Sequence, residues 1–262
     1  MTRFIWFVLH PRYTTSSTRG DMNAELIALS DELAPDCVAI PQHGSDVCPI
    51  CRGQRNDTET LCESCARCES QLPSVRQVVP MTLYAKPSAM RDRLRYYKDG
   101  EDLSDRRRLS REIAALVERF FYEHGDYLVG RYGKWDAVCV VPSTTREPPH
   151  PLERALARNA VDIRGPFEAL LRRGPGEVAH RRANPQAFEP VADLAGRRVL
   201  LLDDVFTTGA RSQSAAHALD SAGAKVPFIV VIARRINPDW RPEAAEWWAS
   251  QLEVPFSWST RP

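Results

Sequence analysis

The chain is short of lysine. Of its 262 residues only Lys86, Lys98, Lys134 and Lys225 are lysine, so arginine supplies thirty-one of the 35 basic side chains. Arginine favours bidentate contacts with phosphate and carboxylate; a GC-rich genome produces the same bias. Net charge is also small: 35 basic against 34 acidic residues leave +1. That argues against bulk coating of nucleic acid, and against nucleic acid as a partner, but not against a local anion site. The early apolar run, Phe4 to Leu9, is too short for a membrane span or a secretory signal, so a cytoplasmic protein without a membrane partner is expected. No GxxxxGK[ST] occurs and no GxGxxG follows a strand, which excludes a Walker-type loop and a dinucleotide fingerprint. Internal repeats and long low-complexity runs are absent. Hydrophobic content of 43% and charged content of 26% are ordinary for a globular protein. The length suits one full domain with a small module, or two modest domains.

What the chain does have is clustered cysteine. Five of the seven, Cys48, Cys51, Cys62, Cys65 and Cys68, fall within 21 residues, while Cys37 and Cys139 stand alone. Cys48-Pro-Ile-Cys51 and Cys62-Glu-Ser-Cys65 are two CxxC knuckles, each placing two sulfurs on one side of a tight turn. Together they supply four thiolates in a tetrahedron, which suits structural Zn²⁺ and leaves no open catalytic position. Cys68 extends the series and competes with Cys65. A redox CxxC is disfavoured, because one motif opening a helix is expected there. The metal's role would be to staple a ribbon that has little apolar core of its own.

Around this segment the chain divides into an extension (1–45), the ribbon (46–72) and an α/β domain (73–262). In the extension, Thr14 to Thr18 reads as a loop, and Met22, Leu26, Leu29 and Leu33 fit a helical period. Further on, Val78 to Ala85, Ala137 to Val141, Val199 to Leu202 and Val226 to Ala233 read as buried strands. Met90 to Tyr97, Leu109 to Phe121 and Ala210 to Ala222 read as helices. Short apolar strands alternating with helices predict a mostly parallel sheet covered on both faces. Residues 143–190 read as long loops with a helix or two.

The strongest chemical signal is Val199-Leu-Leu-Leu-Asp203-Asp204-Val205-Phe206-Thr207-Thr208-Gly209-Ala210. A buried strand delivers two carboxylates at its carboxyl end, where ligands bind in open α/β sheets. The following loop enters a helix, so its backbone N–H groups and two hydroxyls form an anion cradle. Gly209 permits close approach. A sugar with a phosphate at one end and a vicinal diol fits both parts.

This stretch resembles the phosphoribosyl-pyrophosphate (PRPP) motif of type I phosphoribosyltransferases. The order of cysteine ribbon, Leu94-Arg-Tyr-Tyr-Lys98-Asp-Gly100, Val140-Val-Pro142-Ser143, Arg182-Ala-Asn184-Pro-Gln-Ala-Phe188 and PRPP motif is similar to the ComF-like branch over roughly residues 48–233. The resemblance implies a Rossmann-like type I phosphoribosyltransferase core with a central parallel sheet, plus a small N-terminal zinc ribbon. It implies transfer of the 5-phosphoribosyl group from PRPP to a nitrogenous or aromatic acceptor, with Mg²⁺ and release of pyrophosphate. Asp203 and Asp204 would contact the ribose hydroxyls. Val205, Phe206, Thr207, Thr208, Gly209 and Ala210 would form the 5-phosphate loop, and Ser143, Thr144, Thr145 and Arg146 the pyrophosphate loop. Lys98 matches a family lysine at the anionic site. Arg182 precedes Asn184 in a segment, with His180 and Arg181, whose loops the resemblance implies would close over PRPP. Arg211 stands where many members have Thr or Ser; a phosphate contact and a solvent position are both open. Glu147 to Leu152 departs from the family's arginine-rich pattern. The alternative is a non-catalytic PRPP-binding regulator or a DNA-uptake partner protein. Trp240, Trp247, Trp248 and Trp258 either wall an acceptor pocket or pack on the core. The acceptor and any homo-oligomer are not legible.

Overall fold

A computed structural model describes residues 16–56, 58–177 and 182–262; His180 and Arg181 lie outside the described residues. Among the described residues the strands are β1 (Val78–Tyr84), β2 (Ala137–Val140), β3 (Leu171–Arg173), β4 (Phe188–Pro190), β5 (Val199–Phe206) and β6 (Ile229–Arg235). The helices are α1 (Ser16–Leu33), α2 (Glu63–Gln71), α3 (Ala89–Asp99), α4 (Leu103–Tyr132), α5 (Pro151–Arg158), α6 (Ala210–Ser221) and α7 (Pro242–Leu252).

The expected parallel sheet is present. Its order is β1-β6-β5-β2, every pair parallel. These strands are apolar along their length because both faces are covered. Val79, Met81, Val138, Val140, Leu200, Leu202, Val230 and Ile232 pack towards α1, α3 and α4. Their neighbours Val78, Cys139, Val199, Leu201, Ile229 and Val231 pack on the opposite side with α6 and with the four knuckle cysteines. The ribbon thus borrows the core of the sheet instead of standing apart. β3 and β4 form a separate antiparallel pair.

Several boundaries differ from the sequence reading. Ser16 to Thr18, expected in a loop, form the first turn of α1; Thr14 and Thr15 lie outside the described residues. Leu26 and Leu33 are buried against the core with Leu29 beside them. Arg111–Glu25 and Arg119–Asp31 ion pairs tie α1 to α4. The helix expected from Leu109 begins six residues earlier, where Asp102 caps the N–H groups of Ser104 and Asp105. Its charged first turns carry no apolar stripe, so periodicity missed them. β5 runs on through Asp203 and Asp204, which stay in register with β6. Lys98, expected after a helix, lies in the last turn of α3. Trp258 and Trp247 are buried in the core, whereas Trp240 is half exposed. Among the described residues no helix is long and apolar enough to cross a membrane.

Candidate functional site

The carboxyl ends of β2 and β5, adjacent in the sheet, present two loops side by side. The loop after β5 carries the acidic pair at its root. Asp203 and Asp204 are each only 1% exposed, so their charges require partners. Asp203 accepts from the Asp204 N–H at 2.9 Å and from Arg211 through Nη2 at 2.5 Å and Nε at 3.3 Å. Asp204 accepts from the Tyr97 hydroxyl at 2.9 Å, from Lys98 Nζ at 2.5 Å and from Arg211 Nη2 at 3.2 Å. A carboxylate offers about four acceptor positions, so each acid has about one left. Two neighbouring carboxylates with one free acceptor position each match a vicinal diol. Burial pushes the Asp203 carboxyl up to about 6 against the pull of Arg211. Burial also opposes ionisation of Asp204, but Lys98 and Arg211 outweigh it and hold that carboxyl well below the usual range. Arg211 pairs with both acids, its side chain 29% exposed.

Beyond the acids, Phe206, Gly209 and Ala210 are buried, and Val205, Thr207 and Thr208 are half-buried. Gly209 is the N-cap of α6, with φ 79° and no side-chain cap. The first N–H groups of a helix lack intrahelical acceptors, and here no capping side chain takes them. A Cβ at Gly209 would meet the Phe206 ring at 2.5 Å, so the turn needs glycine for its dihedral and for its space. The outer side of the loop opens on a cleft of about 160 Å³ between ribbon and core, lined by Thr207, Thr208, Arg67, Arg234, Arg235 and Trp240.

In the loop after β2, Ser143 is buried and its Oγ accepts the N–H groups of Thr145 and Arg146 at 3.2 and 3.0 Å. Thr144 and Thr145 are exposed. Arg146 pairs with Asp99 at the end of α3. Arg173 on β3 draws the loop's carbonyls back, donating to Ser143 O at 2.8 Å and Arg146 O at 2.6 Å. Peptide planarity then turns the Thr144 N–H away from Arg173, while the Thr145 and Arg146 N–H groups stay on Ser143 Oγ. Arg182 is exposed, and among the described residues it makes no hydrogen bond to either loop.

Sequence reasoning missed Tyr97, Arg173, Arg234 and His150. His150 caps α5: its Nδ1 accepts the Leu152 N–H at 3.1 Å, which leaves the ring proton on Nε2. The ring is 5% exposed. Burial, aided by Arg211, Lys98 and Arg146 and opposed by Asp204, pulls its pKa down to about 4, so it is neutral at pH 7. The only sequence signal was the Pro-Pro-His-Pro run, whose second flanking proline opens the helix. Next to Lys98 lies an open cleft of about 260 Å³ whose lining includes Arg106, Arg107, Arg154 and Arg158 and no acidic side chain. Such a cleft raises the local concentration of anions.

The four-cysteine cluster is closed and compact. The sulfurs of Cys48, Cys51, Cys62 and Cys65 lie within 4.8 Å of one another and all four residues are buried. That donor set fits one tetrahedral metal ion such as Zn²⁺. Cys68 is outside it: its thiol donates to Thr208 O at 3.4 Å. This resolves the competition with Cys65 in favour of the two knuckles.

No protein-family model and no curated protein matches the chain. Solved structures similar to it include adenine phosphoribosyltransferase of Saccharomyces cerevisiae, at 19% identity over 56% of this chain and 78% of that one, with a TM-score of 0.32. Adenine phosphoribosyl transferase of Trypanosoma brucei is similar at 15% identity over 62% and 86%, with a TM-score of 0.32. UMP synthase of Leishmania donovani is similar at 23% identity over 55% of this chain and 26% of that one, with a TM-score of 0.29.

Proposed function

We propose that the chain is a phosphoribosyltransferase that moves the 5-phosphoribosyl group from PRPP to a nitrogenous or aromatic acceptor. One observation carries this reading: an uncapped helix N-terminus with a glycine turn stands directly beside two buried carboxylates, each with one open acceptor position, at the carboxyl end of β5. The turn takes the 5-phosphate on the N–H groups of residues 207–210 and the Thr207 and Thr208 hydroxyls. Asp203 and Asp204 accept the ribose hydroxyls. The loop of Ser143, Thr144, Thr145 and Arg146 takes the diphosphate.

In the reaction, the bond from the anomeric carbon to the pyrophosphate oxygen breaks and its electron pair leaves with pyrophosphate. The acceptor's lone pair forms the new bond to the same carbon. The chain's residues mostly position the groups and stabilise charge. Lys98 and Arg146 stand on the side where the leaving group gains negative charge, with the neutral His150 Nε2–H as a further donor. Mg²⁺ on the diphosphate oxygens would neutralise that charge when bound. The acids are already paired with Lys98 and Arg211, so they suit sugar hydroxyls or metal-bound water better than a bare ion.

A second reading, PRPP binding without turnover, is favoured by the Arg211 pairing, which takes acceptor positions on both acids. Pyrophosphate release from PRPP and Mg²⁺ with a panel of amine, purine, pyrimidine and aromatic acceptors separates the two. Transfer predicts release that depends on one acceptor class; binding with no release for any acceptor overturns the enzyme reading.

A further inference from the structure

The metal cluster and the phosphate loop are joined by one buried guanidinium. Arg234, at the end of β6, donates through Nη1 to Phe206 O at 3.2 Å, to Thr207 O at 2.6 Å and to Arg235 O at 2.6 Å. Its Cζ lies 5.0 Å from the centroid of the Phe206 ring, the ring on which Gly209 turns. On its other side the guanidinium lies against the first knuckle, the turn in which the Cys48 N–H donates to Gly53 O at 2.8 Å. Its buried Nε makes no hydrogen bond. Gly53, in the first knuckle, makes room for this approach, since a Cβ there would stand 3.0 Å from Arg234 Nη2. A second tie runs from the ribbon helix α2, where the Cys68 thiol donates to Thr208 O at 3.4 Å. The carbonyls of three successive residues, Phe206, Thr207 and Thr208, are thus drawn towards the ribbon. Peptide planarity then fixes where the N–H groups of residues 207–209 point.

We propose that Arg234 and Cys68 are positioning residues through which occupancy of the four-cysteine site sets the geometry of the phosphate loop, so that metal and PRPP bind with positive coupling. A filled tetrathiolate site fixes Cys48 and Cys51, and with them the turn through Gly53 on which Arg234 packs. With the metal present, the rigid first knuckle anchors Arg234 on one side, and the guanidinium holds two loop carbonyls on the other. Without it, the knuckles loosen, the anchor is lost and the loop samples orientations that do not converge on a phosphate. Coupling of this kind is reciprocal: PRPP must retain the metal by the factor with which the metal retains PRPP. The PRPP part of the proposal rests on the function proposed above; the effect of the metal on the loop does not.

The test compares metal-loaded full-length protein with protein stripped by a chelator under reductant. Amide hydrogen exchange at residues 207–210 is read first, with no ligand added and with β2 and β5 amides as the control for global folding. Stripping should speed loop exchange roughly tenfold while the control amides stay protected. PRPP affinity by calorimetry should fall by a similar factor, and PRPP should slow chelator extraction of the metal. In Arg234→Met both effects of the metal should shrink to within about twofold; Cys68→Ala, with full metal content, should lower the coupling about threefold. If Arg234→Met does not fold, Cys68→Ala carries the test. Equal loop exchange in loaded and stripped protein overturns the proposal, as does coupling that survives both substitutions unchanged. Coupled exchange with no PRPP binding in any form supports the tie and rejects the PRPP reading.

Discussion

Arg211 Nη2 donates to Asp203 at 2.5 Å and reaches Asp204 at 3.2 Å, so one guanidinium bridges the pair proposed to hold the ribose. Both acids are buried, and removing the bridge leaves a buried carboxylate with fewer partners. Arg211→Thr should cost about 3 kcal/mol of folding stability, read as a lower urea midpoint. Arg211→Lys should recover part of that loss. A Thr variant as stable as the parent would mean that the bridge contributes nothing to the fold.

Gly209→Ala tests the turn. The residue has φ 79°, and an added Cβ would stand 2.5 Å from the Phe206 ring. Relaxation must move Phe206 or the loop. We expect a destabilisation of roughly 2 kcal/mol, together with loss of most phosphate-dependent binding at this loop. Calorimetry with PRPP checks the second part; parental affinity would show that the turn is not the phosphate site.

His150 predicts a pH effect. Its ordinary pKa is 6.5 and its folded value is about 4. Between these values the unfolded chain takes up a proton that the folded chain refuses. Stability therefore rises with pH across this window and is lost as pH falls through it. His150→Asn, which keeps an acceptor for the Leu152 N–H, should flatten the difference between pH 6.5 and pH 4 in urea midpoints. An unchanged acid-side slope would contradict a buried neutral ring.

The cysteines should separate into three chemical groups. Protein purified under reductant should contain about one zinc per chain, and Cys68→Ala should keep it, because Cys68 bonds Thr208 instead of the cluster. Cys37 and Cys139 are pushed up to about 12 by burial. Mass spectrometry after brief alkylation of the native, metal-loaded protein should find neither modified. Rapid alkylation of Cys139 would contradict its place inside β2.

Much of this site is legible in sequence because it is local. The run from Val199 to Ala210 encodes a strand, two acids and a glycine turn within one short stretch, and each part follows from neighbouring residues. The CxxC spacings encode the knuckles for the same reason. Their partners are not local. Tyr97 and Lys98 reach Asp204 across more than a hundred residues, and Arg234 reaches Thr207 from a different strand. No periodicity marks such contacts. The helical pattern from Ala210 puts Arg211 on α6, but its turn towards Asp203 depends on the acids being buried, which the strand's length decides. The apolar pattern marks β5 only as far as Leu202; its continuation through the acids comes from register with β6. Cys68 sits in the same CxxC rhythm as the ligands, and only the packing of α2 on the phosphate loop distinguishes it.

The central claim is that the acids and the turn after β5 form a PRPP site. Calorimetric titration of PRPP with Mg²⁺ into the parent protein and into Asp203→Asn/Asp204→Asn tests it most directly. The account predicts saturable binding by the parent and at least a roughly hundredfold weaker affinity in the double variant, about 3 kcal/mol, with the variant's fold confirmed by circular dichroism. Equal PRPP affinity in the two proteins, or no binding by the metal-loaded parent, would contradict it.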